Sequence, residues 1–253
     1  MMKKLILGAC IACILAGGVA SAAQVTITTA TGVGADNMIQ NDNQSSSTGP
    51  TSVSSTSSQM EVRNYDAGTN TARRLKMVVM KFDLTGVLES AAQNAVLRMY
   101  TRTSAGGSTT CNLSVYALID DTLDGWDTST LCYNNTPGML AADIGEYAID
   151  STKFADPGLF VISNPKSTNG PWDTNPTDCP LDDIISRELS TGNKILTLVI
   201  LMPVPHSSAD VFFYTKENTS SMPAPALVFD AVPEPATLAI LGLGGLLLRR
   251  RLA

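Results

Sequence analysis

The apolar positions along this chain recur with a period of two, in short bursts. Residues 24–29 set Val25 and Ile27 between polar neighbours, which predicts a half-buried strand. Residues 76–84 place Val78, Met80, Phe82 and Leu84 on one face. Residues 95–102 turn Leu97 and Met99 inward and Arg98, Tyr100 and Arg102 outward. Further strands are predicted at 35–39, 60–63, 113–118, 194–202, 210–215 and 226–229, and the run 195–201 is apolar enough to be buried on both faces. One short helix is expected over 181–189, with Asp182 and Asp183 in its first turn. Many short strands separated by Gly, Pro, Asn and Ser predict an all-β, jelly-roll-type β-sandwich rather than a βαβ fold.

Both ends depart from this pattern. Met1-Met2-Lys3-Lys4 is a basic start, residues 5–18 are mostly apolar, and Ala20-Ser21-Ala22 is a small-x-small cleavage site. A signal peptide over 1–22 and an exported chain follow. At the other end Pro233-Glu234-Pro235 precedes an uncharged apolar run, 236–248, and then Arg249-Arg250-Arg251. The prolines bar a helix from growing back into the upstream domain. Gly242, Gly244 and Gly245 would weaken a soluble core helix, so a short helix in lipid is the better reading. The arginines should stay cytoplasmic, with everything before Pro233 outside. Residues 232–253 therefore resemble the PEP-CTERM sorting signal of Gram-negative bacteria. That resemblance implies an exosortase-type membrane enzyme as partner, with processing near Pro233-Glu234-Pro235. It also implies an inner-membrane intermediate and a destination at the cell surface or in an exopolysaccharide matrix.

Residues 23–231 are enough for one domain with a sizeable core. With the leader and tail set aside, 12 basic residues face 22 acidic ones, which argues against nucleic acid as a partner. Cys111, Cys132 and Cys179 remain after export, so one disulfide with one thiol left over is an expectation, as is a buried inert thiol. A lone His206 cannot assemble a zinc site. Asp120, Asp121, Asp124 and Asp127 raise structural calcium, but their spacing lacks the ordered carboxylates and terminal Glu of a calcium loop. No cofactor is expected, structural calcium staying an open alternative. The chain also has no nucleophile elbow, zinc-protease helix or phosphate loop, so it reads as non-catalytic.

The candidate chemistry is recognition. Sugar rings stack on aromatic faces, and their hydroxyls and carboxylates seek planar partners. Arg98, Tyr100 and Arg102 form a basic-aromatic strip suited to an anionic polysaccharide, and Lys81, facing away from Phe82, could join it. The same strip could be an ordinary strand surface, or lie under the Ser/Thr-rich loop 44–59. Trp126 and Tyr133 are expected to pack in the core near a corner of the sandwich. Two further irregular segments, 134–143 and 164–180, suggest functional loops, and Trp172 in the second is the expected exposed aromatic, or else a loop anchor.

The series Gly34-Ala35-Asp36, Met60-Glu61-Val62-Arg63, Val79-Met80-Lys81-Phe82-Asp83-Leu84, 92–100, Val115-Tyr116, Gly125-Trp126-Asp127 and 131–137 resembles the DNRLRE-type carbohydrate-binding module. The resemblance spans most of 35–229 and implies a jelly-roll β-sandwich, with acidic polysaccharides bound by some members. Cys132-Tyr133 departs from the Thr-Trp usual before the asparagines, and 141–180 is longer than the family pattern. The combined expectation is an exported, surface or matrix β-sandwich that binds polysaccharide. The alternative is a structural or adhesive surface protein without sugar affinity.

Overall fold

The computed structural model describes residues 22–42, 51, 58–65, 74–102, 110–143, 145–162, 170–204, 210–219 and 221–232. The expected signal peptide up to residue 21, most of the Ser/Thr-rich loop, His206 and the sorting tail beyond Val232 lie outside them. In chain order the elements are β1 (Ala23–Thr28), β2 (Ala35–Asp42), β3 (Gln59–Tyr65), β4 (Arg74–Asp83), β5 (Ala91–Thr101) and β6 (Cys111–Leu118). Then come β7 (Met139–Leu140), β8 (Ala148–Ile149), β9 (Phe154–Ile162), β10 (Gly170–Asp173) and the helix α1 (Asp182–Ser190). β11 (Ile195–Leu201), β12 (Asp210–Tyr214) and β13 (Ala226–Val232) complete the described chain.

Every strand pairing among the described residues is antiparallel. One layer is built on β1, β13 and β5; Arg98 pairs with both Ala226 and Asp173, so β10 takes the edge of β5 opposite β13. The other layer runs β2-β4-β11-β6-β9. β3 and β12 pair with each other and bridge the layers, β3 at the start of β4 and β12 at the Phe213–Thr101 pair with β5.

The period-two pattern explains the main core. Leu97 and Met99 from β5, Leu227 and Phe229 from β13, and Val211 and Phe213 from β12 meet Val78, Met80 and Phe82 from β4 and Leu196, Leu198 and Ile200 from β11. Each such burial is worth about 1.5–3 kcal/mol against exposure. The both-faces reading of 195–201 is borne out, because a second core covers the far side of this layer. There Ile39, Leu75, Met77, Val79, Val199 and Leu201 pack against Leu131, Tyr133 and Phe154. Residues 119–153 form the cover, with two single 3-10 turns and the β7–β8 hairpin. Tyr133 sits at its centre, fully buried, and its hydroxyl accepts from the Ala148 amide at 2.9 Å.

Two expectations need correction. Residues 164–180 are not wholly irregular, since 170–173 form β10, and β9 was not foreseen. β9 carries Asp156-Pro157-Gly158 at a register shift, and Gly158 (φ +132°) lies where a Cβ would strike the Asp178 carbonyl. Breaking residues thus mark a bulge inside a strand. Cys132 and Cys179 are buried thiols, so no disulfide joins any two of the three expected cysteines. Burial, aided by Asp156, pushes the Cys179 thiol up to about 12, which makes it inert. No helix among the described residues is long and apolar enough to cross a membrane, and the helix predicted at 236–248 lies outside them.

Candidate functional site

The open side of the sandwich, which no described segment covers, is assembled from β5, β12 and β3. Thr101 and Phe213 pair with both side chains inward, so the pleat turns Tyr100, Arg102, Phe212 and Tyr214 outward together. On β3 the inward Met60 and Val62 leave Gln59, Glu61 and Arg63 on that same outer side, opposite Tyr214, Phe212 and Asp210. Tyr100, Phe212 and Tyr214 are all partly exposed. The result is an aromatic floor edged by guanidinium groups.

The charges on this face are largely matched internally. Arg98 is held by Asp173 in a two-pronged pair, Nε to Oδ1 at 2.7 Å and Nη2 to Oδ2 at 2.6 Å. The Asp173 hydrogen bond raises the Arg98 pKa further. Arg63 reaches Glu61 at 2.5 Å and Asp210 at 2.8 Å, and Lys76 reaches Glu61 at 2.8 Å. Arg102, exposed just past the end of β5, donates instead to the neutral side-chain carbonyl of Gln59. Its charge is the one on this side not matched by a carboxylate, among the described residues.

The structure keeps Arg98, Tyr100 and Arg102 together and separates the other two predicted residues from them. Lys81 does face away from Phe82, but that side of β4 lies under the cover. It is 7% exposed, its Nζ donates to the Trp126 carbonyl at 2.7 Å, and it sits 4.5 Å from the centre of the Trp126 ring. Burial lowers its pKa, and Asp124 and Asp127 oppose that shift. Trp172 is a partly buried anchor: its ring packs on the main core and Nε1 donates to Thr101 Oγ1 at 2.7 Å. Phe212 and Tyr214 were missed. Their signal was the run Val211-Phe212-Phe213-Tyr214, where four apolar residues in a row conceal the alternation.

The acidic stretch is used for structure. Asp120 accepts from the Thr122 amide at 3.1 Å and pairs with Lys153 at 2.5 Å, and these hydrogen bonds hold its pKa down at about 2. Asp124 takes Thr197 Oγ1 at 2.6 Å and Asn193 Nδ2 at 2.9 Å, while Asp127 accepts the Ser129 amide. No group of three or more His, Cys, Asp or Glu among the described residues is placed to hold a metal. Two other carboxyls are buried away from the open side. Glu188 is fully buried, its Oε2 has no hydrogen-bond partner among the described residues, and burial lifts its pKa from 4.5 to about 7 against the pull of Arg187. Asp36 accepts from Thr29 Oγ1 at 2.5 Å and the Lys216 amide at 3.0 Å, yet burial, helped by Glu217, raises it from 3.8 to about 6.

The family model for carbohydrate-binding module family 96 matches residues 28–154, half of the chain, and the PEP-CTERM protein-sorting motif matches 231–251. No curated protein matches the chain. The first match runs from the end of β1 to the start of β9, taking in Arg98, Tyr100, Arg102 and the whole cover. The second begins inside β13, and it indicates an exported protein sorted through an exosortase to the cell surface. By that match over half of its length, the chain belongs to carbohydrate-binding module family 96.

Proposed function

We propose that the β5–β12–β3 face binds an acidic exopolysaccharide at the surface of a Gram-negative bacterium, without catalysis. Tyr100, Phe212 and Tyr214 supply the stacking floor, and Arg102 and Arg98 supply forks for sugar carboxylates. One observation carries the reading: three aromatics and an arginine that, among the described residues, has no carboxylate partner share one face that no described segment covers. The DNRLRE-type likeness and the jelly-roll reading of the strand order run in the same direction. Delivery would follow signal-peptide removal after Ala22, passage through an inner-membrane intermediate, and exosortase processing near Pro233-Glu234-Pro235.

Affinity electrophoresis of the full chain in detergent micelles, through gels carrying polygalacturonate or dextran, tests this. Retardation by polygalacturonate should weaken roughly threefold to tenfold in Tyr100→Ala and Tyr214→Ala, in line with an aromatic contact. Retardation that neither substitution changes would move the site off this face. The second reading is a structural or adhesive surface protein, and the internal pairing of Arg98 and Arg63 favours it. It gains if no polysaccharide retards the chain.

A further inference from the structure

We infer that Asp173 sets the charge selectivity of the open face by occupying the Arg98 fork as an internal stand-in for a ligand carboxylate. The inference rests on the binding role proposed for that face. Asp173 is not there by loop wander. β10 is four residues long, and its register places Asp173 directly opposite Arg98 on β5. Trp172, one residue earlier, fixes that register by packing into the main core and donating to Thr101. The carboxylate meets the guanidinium through two parallel bonds, at 2.7 and 2.6 Å, the arrangement a uronate would need.

The pair is open to competition. The side chains of Arg98 and Asp173 are 37% and 36% exposed, so solvent screens them and the pair shifts an equilibrium by no more than about fivefold. A neutral polymer stacking on Tyr100 leaves the pair intact. An anionic polymer must displace Asp173 from the fork or sit beside an extra negative charge. Asp173 therefore weakens binding of acidic chains relative to neutral ones, and Arg102 remains the first contact for a carboxylate.

The test compares wild type, Asp173→Asn, Arg98→Ala and the double variant, each as the full chain in detergent micelles, on polygalacturonate and dextran gels at several salt concentrations. Asp173→Asn should bind polygalacturonate about threefold to fivefold more tightly, with a steeper salt dependence. Its affinity for dextran should not move, and the gain should vanish when Arg98 is also Ala. A wild type that binds polygalacturonate while Asp173→Asn binds it equally or more weakly overturns this inference alone. A gain that survives Arg98→Ala overturns it as well, because the effect would then be general charge. If neither wild type nor Asp173→Asn is retarded by either polymer, the binding reading falls with it.

Discussion

The two outer faces of the sandwich share a strand grammar and differ in what lies on top. On the β2-β4-β11-β6 layer, the outward Met77, Val79, Val199 and Leu201 are roofed by residues 119–153 and become a second core. On the β5-β12-β3 side, the outward Tyr100, Phe212 and Tyr214 have no described segment over them and stay partly exposed. A lysine illustrates the contrast. Lys81 has the parity of a binding residue, yet the roof turns it into a structural cation beneath Trp126. Facing away from the main core is thus no guarantee of facing solvent, and the apolar content of the outward row decides between the two. Met and Val there call for a cover; Tyr and Arg tolerate water.

That contrast breaks first at Tyr133. Tyr133→Ala should cost about 3–5 kcal/mol in denaturant unfolding, because a large side chain is lost from a closed core and the Ala148 amide loses its partner. Tyr100→Ala on the open face should cost under about 1 kcal/mol. Equal costs would mean that the open face is also covered. The next largest effect is on pH. Glu188 and Asp36 have folded pKa values above their unfolded ones, so the folded chain keeps protons that the unfolded chain has lost. Stability should fall as pH rises from about 4 through about 7, and Glu188→Gln should remove roughly half of that slope, Asp36 carrying the rest, and raise stability above pH 7. Below about pH 4 the trend reverses, because the unfolded chain takes up the Asp120 proton while the folded chain, which holds that carboxyl at about 2, does not. Melting temperatures across this range check both arms; a flat profile would sink the assignment. The smallest effect is Trp126→Phe, which removes the Nε1 donor 3.0 Å from Thr197 Oγ1 but keeps a ring over Lys81. It should cost about 1–2 kcal/mol and leave polysaccharide retardation unchanged.

Much of this was legible in the chain. The alternation at 76–84 and 95–102 placed the main-core residues correctly, and it put Arg98, Tyr100 and Arg102 on one outward side. Parity also put Lys81 opposite Phe82, but parity is local. The cover arrives from residues some forty positions later, and no pattern within β4 reports it. Trp172 was misread because Gly170 and Pro171 look like loop, whereas on an edge strand a proline is tolerated. β9 was hidden for the same reason by Pro157 and Gly158. Phe212 and Tyr214 were hidden by the opposite fault: an unbroken apolar run carries no period, so only the pairing of Phe213 with Thr101 reveals which members face out.

The position of β13 has a mechanical consequence. The strand lies between β1 and β5, with six register pairs on each side, and the sorting motif begins within it at Ala231. Ladder bonds between antiparallel strands run across the strand axis. Tension drawn along that axis from beyond Val232 loads both ladders in shear, all at once, instead of peeling them one rung at a time. A polymer gripped on the open face and a tail held at the cell surface would pull against the most evenly shared joint in the domain.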